Sequence, residues 1–202
     1  MMSKKRTYHH DNLRQKIIDE ALSSIEQNSI VSLSLRNIAR SLGISHNAPY
    51  RHFPDKESLL VEIATRGFTQ LHQELQQAYD HSPIDARQRL DNIGVAYIEY
   101  AINNKTYYQV MFSDRQLICD KYPDLAKISQ AAFEVLLNAI KAGQDSQIFI
   151  PENTLKLARI CWSTTHGVST LAIDNQFGVA NDSEILDLAK VATATLSRGL
   201  LN

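Results

Sequence analysis

The chain has 202 residues, 44% hydrophobic and 21% charged, the balance of an ordinary water-soluble protein and room for one large domain or two small ones. Its net charge of −1 hides a division: residues 1–56 hold nine Lys or Arg against five Asp or Glu, a surplus of +4, and the remainder runs to −5, as expected when a basic segment meets nucleic acid. No stretch approaches the roughly 18 apolar residues that would cross a bilayer, no charged-then-apolar leader opens the chain, and Cys119 and Cys161 lie far apart without a CxxC or zinc spacing; the expectation is a cytoplasmic protein with reduced thiols.

Residues 1–7 are polar and basic and read as a loose arm. Lys4, Lys5 and Arg6 in it either follow DNA phosphates, enter a minor groove or have no role. A first helix is predicted over Asp11 to Gln27, with Leu13, Ile17, Ala21, Leu22 and Ile25 along one face. The stretch LRNIARSLGISHNAPYRHFPDK, Leu35 to Lys56, follows. Its short amphipathic helix (Leu35, Ile38, Ala39, Leu42) stops at Gly43, which can take the left-handed conformation that ends a helix. Ile44 is an apolar plug, and Ser45 can cap a second short helix. Proline is tolerated only in a first turn, so Pro49 sets the start of that helix at Ser45 to Asn47. This is the layout of a helix-turn-helix, whose second helix lies in the major groove.

The side chains suit that task. Ser45, His46 and Asn47 are short polar groups able to bond base edges. Tyr50 and His52 can reach phosphates. Arg36 and Lys56 sit near helix starts and add charge. The same pattern also fits a surface helical hairpin that binds nothing.

A long fourth helix is predicted from Pro54-Asp55 to about Tyr79, with Leu59, Leu60, Ile63, Phe68, Leu71 and Leu75 on its apolar side. Pro83 suits a new first turn. A fifth helix follows over Ile84 to Asn103, a sixth over Lys105 to Ser113, and a seventh from Tyr122-Pro123 to Ala142, ended by Gly143. The eighth runs from Pro151 to about Phe177 and the ninth from Asp182-Ser183 to Leu200. No alternating strand pattern competes, so the fold class is all-α with about nine helices. Gly67 and Gly94 either mark close helix crossings or simply weaken their helices.

Tyr97, Tyr100, Met111, Phe112 and Phe133 cluster in helices five to seven with Tyr107 and Tyr108, and Trp162 and His166 share one face of helix eight. They form either an aromatic core or the lining of an apolar site with a few polar handles. Helices eight and nine mix large residues (Leu186, Leu196, Leu200) with small ones (Ala158, Thr164, Gly167, Ala189, Ala192), which permits close packing.

The stretch from Tyr8 to about Phe68 resembles the DNA-binding domain of the tetracycline-repressor (TetR) family of bacterial regulators. The elements that carry the likeness are LRQKIIDEALSSI, LSLRNIARSLGIS and, most specific, APYRHFPDKESLL. Downstream, Trp162, His166 and Gly167 form Trp-x-x-x-His-Gly, which is similar to the C-terminal domain of one TetR branch. The resemblance implies a helix-turn-helix domain over residues 1–54, a connecting helix over about 55–79, and a ligand-binding and dimerisation domain over 80–202. It also implies phosphate contacts at Tyr50, His52 and Lys56, a homodimer through the last two helices, a palindromic operator in double-stranded DNA, and a small-molecule effector held in the aromatic cluster. Many relatives carry a hydroxyl residue where this chain has Pro49.

The function expected is a dimeric repressor released from its operator by a small apolar or amphipathic ligand. The alternative is a ligand-independent, nucleoid-type DNA-binding protein. Nothing calls for a cofactor or metal; His9-His10 in an arm is an incidental pair. No Ser-His-Asp arrangement, phosphate loop or His-Glu-x-x-His is present, and Cys161 and His166, five apart, point in different directions on a helix, so no enzyme is expected.

Overall fold

A computed structural model describes residues 4–82, 85–113, 121–178 and 181–202, with side chains from residue 12 onward. Cys119, Pro83, Ile84 and the side chains of the basic arm and of His9-His10 lie outside the described residues. The described residues form eight α-helices: α1 (Lys4–Gln27), α2 (Leu35–Ser41), α3 (Lys56–Asp80), α4 (Ala86–Asn103), α5 (Lys105–Ser113), α6 (Pro123–Asp145), α7 (Thr154–Ile173) and α8 (Asp182–Arg198). A single 3-10 turn, Pro49–Arg51, lies between α2 and α3. The fold is all-α. The one β-type pairing among the described residues is an isolated antiparallel bridge between Phe149 and Leu201.

The chain divides into two units that interleave in sequence. The first comprises residues 1–66 and 106–125, the second residues 67–105 and 126–202. In the first unit Ile17, Ile18, Ala21 and Ile25 of α1 are buried, as are Leu35, Ile38 and Ala39 of α2, Phe53, and Leu59 and Ile63 of α3. Ile18 is fully enclosed, whereas Leu13 and Leu22 of the expected apolar face are half-buried. In the second unit α4 packs against α7 and α8. Its core gathers Leu90, Ile140, Phe149, Leu157, Ala158, Cys161 and Leu200. Gly94 marks a close crossing there: a Cβ on it would stand 2.5 Å from Cγ2 of Thr193.

Polar side chains cap four of the eight described helix starts. Asp85 accepts from the amide of Arg87 at 2.9 Å, Asn153 from Lys156 at 3.0 Å, and Asn181 from Glu184 at 3.0 Å. α3 opens on a reciprocal cap, with Ser58 N–H on Asp55 Oδ1 at 2.7 Å and Asp55 N–H on Ser58 Oγ at 3.3 Å. Several helix ends differ from expectation, and α7 runs over Thr154–Ile173 and not from Pro151 to about Phe177. α1 begins at Lys4, because the Lys-Lys-Arg run carries no helix breaker and its residues favour helix. α6 passes through Gly143 to Asp145. The residue that takes the left-handed turn after it is Gln147, with φ 59°. The amides of Ile148 and Phe149 then bond back to the Gly143 carbonyl at 2.9 and 3.1 Å.

Gly143 is there for room, since a Cβ would overlap the Phe149 ring. Two substitutions separate room from turn. Gly143→Ala is expected to destabilise by about 1–3 kcal/mol through overpacking, and Gln147→Gly to stabilise by about 1 kcal/mol by relieving the left-handed backbone; urea unfolding midpoints of the two variants measure both.

Candidate nucleic-acid interface and ligand site

The head of the first unit is built around one turn. α2 closes with Gly43 in the left-handed region, φ 63°. Its amide bonds Arg40 O at 3.2 Å and that of Ile44 bonds Ala39 O at 3.0 Å, the paired bonds of a glycine-stopped helix. Ile44 is half-buried beneath this turn.

The segment after it corrects an expectation. Residues 45–52 do not form an α-helix. Ala48 N–H bonds Ser45 O at 2.9 Å, Arg51 bonds Ala48 O at 3.3 Å, and His52 bonds Pro49 O at 2.9 Å. These are three-residue closures, and the one four-residue closure is Phe53 to Pro49 at 2.9 Å. Pro49 has no amide hydrogen to offer Ser45, so the first α-helical bond cannot form. Pro49 and Phe53 point inward and are buried. Ser45, His46, Asn47, Tyr50 and Arg51 are exposed, Tyr50 to 42%. Arg36 is exposed on α2 of the same unit, together with Asn37 and Arg40, which the sequence reading passed over. His52 is half-buried.

Lys56 is engaged within the fold. Its ammonium donates to the carbonyls of Ile30 and Val31, at 2.5 and 3.0 Å, and so ties the α1–α2 loop to the first turn of α3. The adjacent residue makes a second tie. Glu57 Oε1 receives Lys121 Nζ at 2.7 Å and the Tyr122 hydroxyl at 2.7 Å, while Lys121 stands 4.9 Å over the Tyr122 ring. The hydrogen bonds from Lys121 and Tyr122 hold the Glu57 carboxyl below the usual carboxylate range. Deeper in the unit, Glu62 Oε1 takes Arg14 and Arg66, both at 2.8 Å, and Arg66 reaches Gln15 at 2.6 Å. The Arg14 guanidinium lies 5.0 Å over Phe53. Glu62 is therefore also held low, chiefly by the hydrogen bond from Arg14. Apart from the i,i+4 pair Arg66–Glu62, the partners lie 48 to 65 residues apart and carry no spacing signal in the sequence.

In the second unit four of the predicted ligand residues meet. The Trp162 indole N–H donates to the Tyr97 hydroxyl at 3.2 Å, and that hydroxyl lies 3.0 Å from His166 Nδ1. Phe133 meets Trp162 edge-on at 5.9 Å between centroids, and Trp162 and His166 lie 5.8 Å apart. Burial lowers the His166 pKa from 6.5 and so favours the neutral ring. An indole can only donate, so the Tyr97 oxygen accepts from it while its own hydrogen is available to the neutral imidazole. Tyr100 gives its hydroxyl hydrogen to the Gly67 carbonyl at 2.8 Å. Met111 and Phe112 lie on α5 in the first unit, where Phe112 packs on Tyr108 at 4.8 Å. The Cys161 thiol is buried and its pKa pushed up to about 12 by that burial, which leaves it a packing group and not a nucleophile.

Comparison with known proteins adds two family matches. A model described as the tetracyclin repressor-like C-terminal domain matches residues 90–196. A model described as bacterial regulatory proteins of the tetR family matches residues 17–63. The chain is 23% identical over 190 residues to the uncharacterised HTH-type regulator YobS of Bacillus subtilis, covering 94% of this chain and 93% of that one. It is 27% identical over 111 residues to an uncharacterised HTH-type regulator of Haemophilus influenzae, a match spanning 54% of this chain and about half, 53%, of that protein. A solved tetR-family regulatory protein from Rhodococcus RHA1 shares the fold, with a TM-score of 0.74 at 21% identity over 93% of this chain and 96% of that one.

Two expectations follow from the geometry. Lys56→Ala should lower the unfolding free energy by roughly 1–2 kcal/mol, because two loop carbonyls lose a charged donor; thermal or urea unfolding without DNA reads this. His166 takes up a proton less readily in the fold than in the unfolded chain, whose value is 6.5. Its contribution to stability is therefore present above 6.5 and lost as pH falls below it. The fall in Tm between about pH 7.5 and pH 5.5 should be shallower in His166→Asn than in the parent.

Proposed function

Since the chain belongs to the tetracycline-repressor family of DNA-binding transcriptional regulators, we propose that it works as a cytoplasmic homodimeric repressor. It binds a palindromic operator and is released by a small apolar or amphipathic ligand. The observation that carries this reading is the exposed polar set Arg36, Ser45, His46, Asn47 and Tyr50, held on a head whose apolar residues Ile38, Ala39, Pro49 and Phe53 are buried.

The division of labour follows from side-chain length and charge. Tyr50, Arg36 and His52 contact phosphates, which supply the salt-dependent part of the affinity. Ser45, His46 and Asn47 meet base edges. Lys56 reaches a phosphate with whatever donor capacity its two loop carbonyls leave, and its first duty is to hold the loop. One such segment covers too few base pairs for tight specificity. Two of them, about 34–36 Å apart, read both halves of a symmetric site.

For the dimer, α7 offers a face on which Ile160 (54% exposed), Thr164, Gly167 and Leu171 (43%) follow helical spacing. α8 adds Val191, 63% exposed. Large apolar groups so open to solvent support burial against a twin copy. For the ligand, Phe133 and Trp162 supply apolar walls and the Tyr97–His166 pair a polar handle, with Tyr100 of the same unit a candidate for its periphery. A ligand acts only by favouring one conformation over another. α3, whose first turns belong to the first unit and whose remainder belongs to the second, is the element that carries the change.

Sedimentation should give a dimer for the parent protein and a monomer for Ile160→Glu with Val191→Glu, and the monomer should lose operator binding in a gel shift. Tyr50→Phe with Arg36→Ala should stay folded and dimeric yet bind operator about tenfold or more weakly. A parent protein that is monomeric and indifferent to every duplex fragment of its own chromosome would end this reading.

A further inference from the structure

The role of Arg51, which no family match assigns, follows from the shape of the 45–53 segment. This inference rests on the DNA-binding reading above and adds to it the residue that sets sequence preference. Pro49 and Phe53 are the buried residues of the segment and are joined by a backbone bond of 2.9 Å, so together they define its inward side. Successive residues turn by 100° in an α-turn and 120° in a 3-10 turn. Arg51, two positions after Pro49, therefore projects away from the core in either geometry, and Tyr50 stands to one side of it.

Ala48 is on the same outward stripe, tied to Arg51 by the 3.3 Å bond from the Arg51 amide. Its small side chain leaves the path over the segment clear. Arg14 and Arg66 of the same unit are committed to Glu62. Arg51, by contrast, is exposed, and no hydrogen bond, ion pair or ring contact engages its guanidinium among the described residues. The outermost point of a groove-entering segment goes deepest. A planar guanidinium there is suited to bond O6 and N7 of one guanine together.

We propose that Arg51 reads a guanine in each operator half-site and is the main specificity-determining residue of this chain. Ser45, His46 and Asn47, with shorter reach, refine the neighbouring positions.

The test is selection of binding sites from a random duplex library with the full-length parent, Arg51→Ala and Arg51→Lys. The parent should enrich a two-fold symmetric motif with one strongly preferred G in each half. Arg51→Ala should enrich the same motif with that G lost, its discrimination falling from roughly ten- to hundredfold to near one. Arg51→Lys keeps the charge but not the paired donors and should show a weakened G. If Arg51→Ala keeps every position of the motif and binds all sequences more weakly, with a shallower salt dependence, Arg51 is a phosphate contact and the proposal is overturned. Unchanged affinity and motif overturn it too. A parent protein that enriches no motif at all overturns the DNA reading itself, a failure distinct from loss of one letter in a variant.

Discussion

Everything in the head turns on the first turn of α3. A loop that brings backbone carbonyls out of helical pairing must find donors for them. Here the Lys56 ammonium fills that need at Ile30 and Val31. Glu57 beside it collects Lys121 and Tyr122, and Asp55 and Ser58 close the turn on itself. Four consecutive residues thus fix the helix start, the α1–α2 loop and the entry to α6. The 45–53 segment is short and closed mostly by three-residue backbone bonds. It holds its shape because it runs from the Gly43 turn into this anchored one.

The same anchorage explains why residues 106–125 group with the N-terminal part of the chain. Lys121 and Tyr122, just before α6, follow the second unit's first helices in sequence, but their polar partner Glu57 belongs to the head. Glu62, shared by Arg14 and Arg66, strengthens the arrangement from within. Partly exposed ion pairs of this kind contribute modestly one by one, and their worth lies in fixing which helices meet. In the second unit the corresponding constraint is steric. Gly94 leaves no room for a side chain beside Thr193, so α4 and α8 approach closely while Tyr97, one turn on, keeps its hydroxyl for α7.

What could be read from the sequence was whatever rests on local chemistry. The helix class, the Gly43 turn, α5 to the residue and the burial of Ile38 and Ala39 all follow from periodicity and from one glycine's freedom. Pro49 marks a helix start in the sequence, but its missing amide at the position where the first α-helical bond could close leaves a 3-10 turn. Gly143 reads in the sequence as a helix end because glycine both ends helices and makes room, and only the position of Phe149 tells which. Lys56 reads from sequence as a free cation because its partners, the carbonyls of Ile30 and Val31, are distant in sequence. Of the seven residues expected near a ligand, Tyr97, Phe133, Trp162 and His166 meet, whereas Tyr100 is committed to the backbone of α3. Periodicity gave the helix face but not which neighbour would take the hydroxyl.

Trp162 is the only tryptophan in the chain, and its ring touches Phe133, the Tyr97 hydroxyl and the His166 imidazole at once. Light absorbed at wavelengths beyond the reach of tyrosine is therefore emitted from a single spot. The molecule has a native optical reporter seated at the hydroxyl–imidazole pair, and its colour and brightness register hydration or occupancy there without any dye being attached.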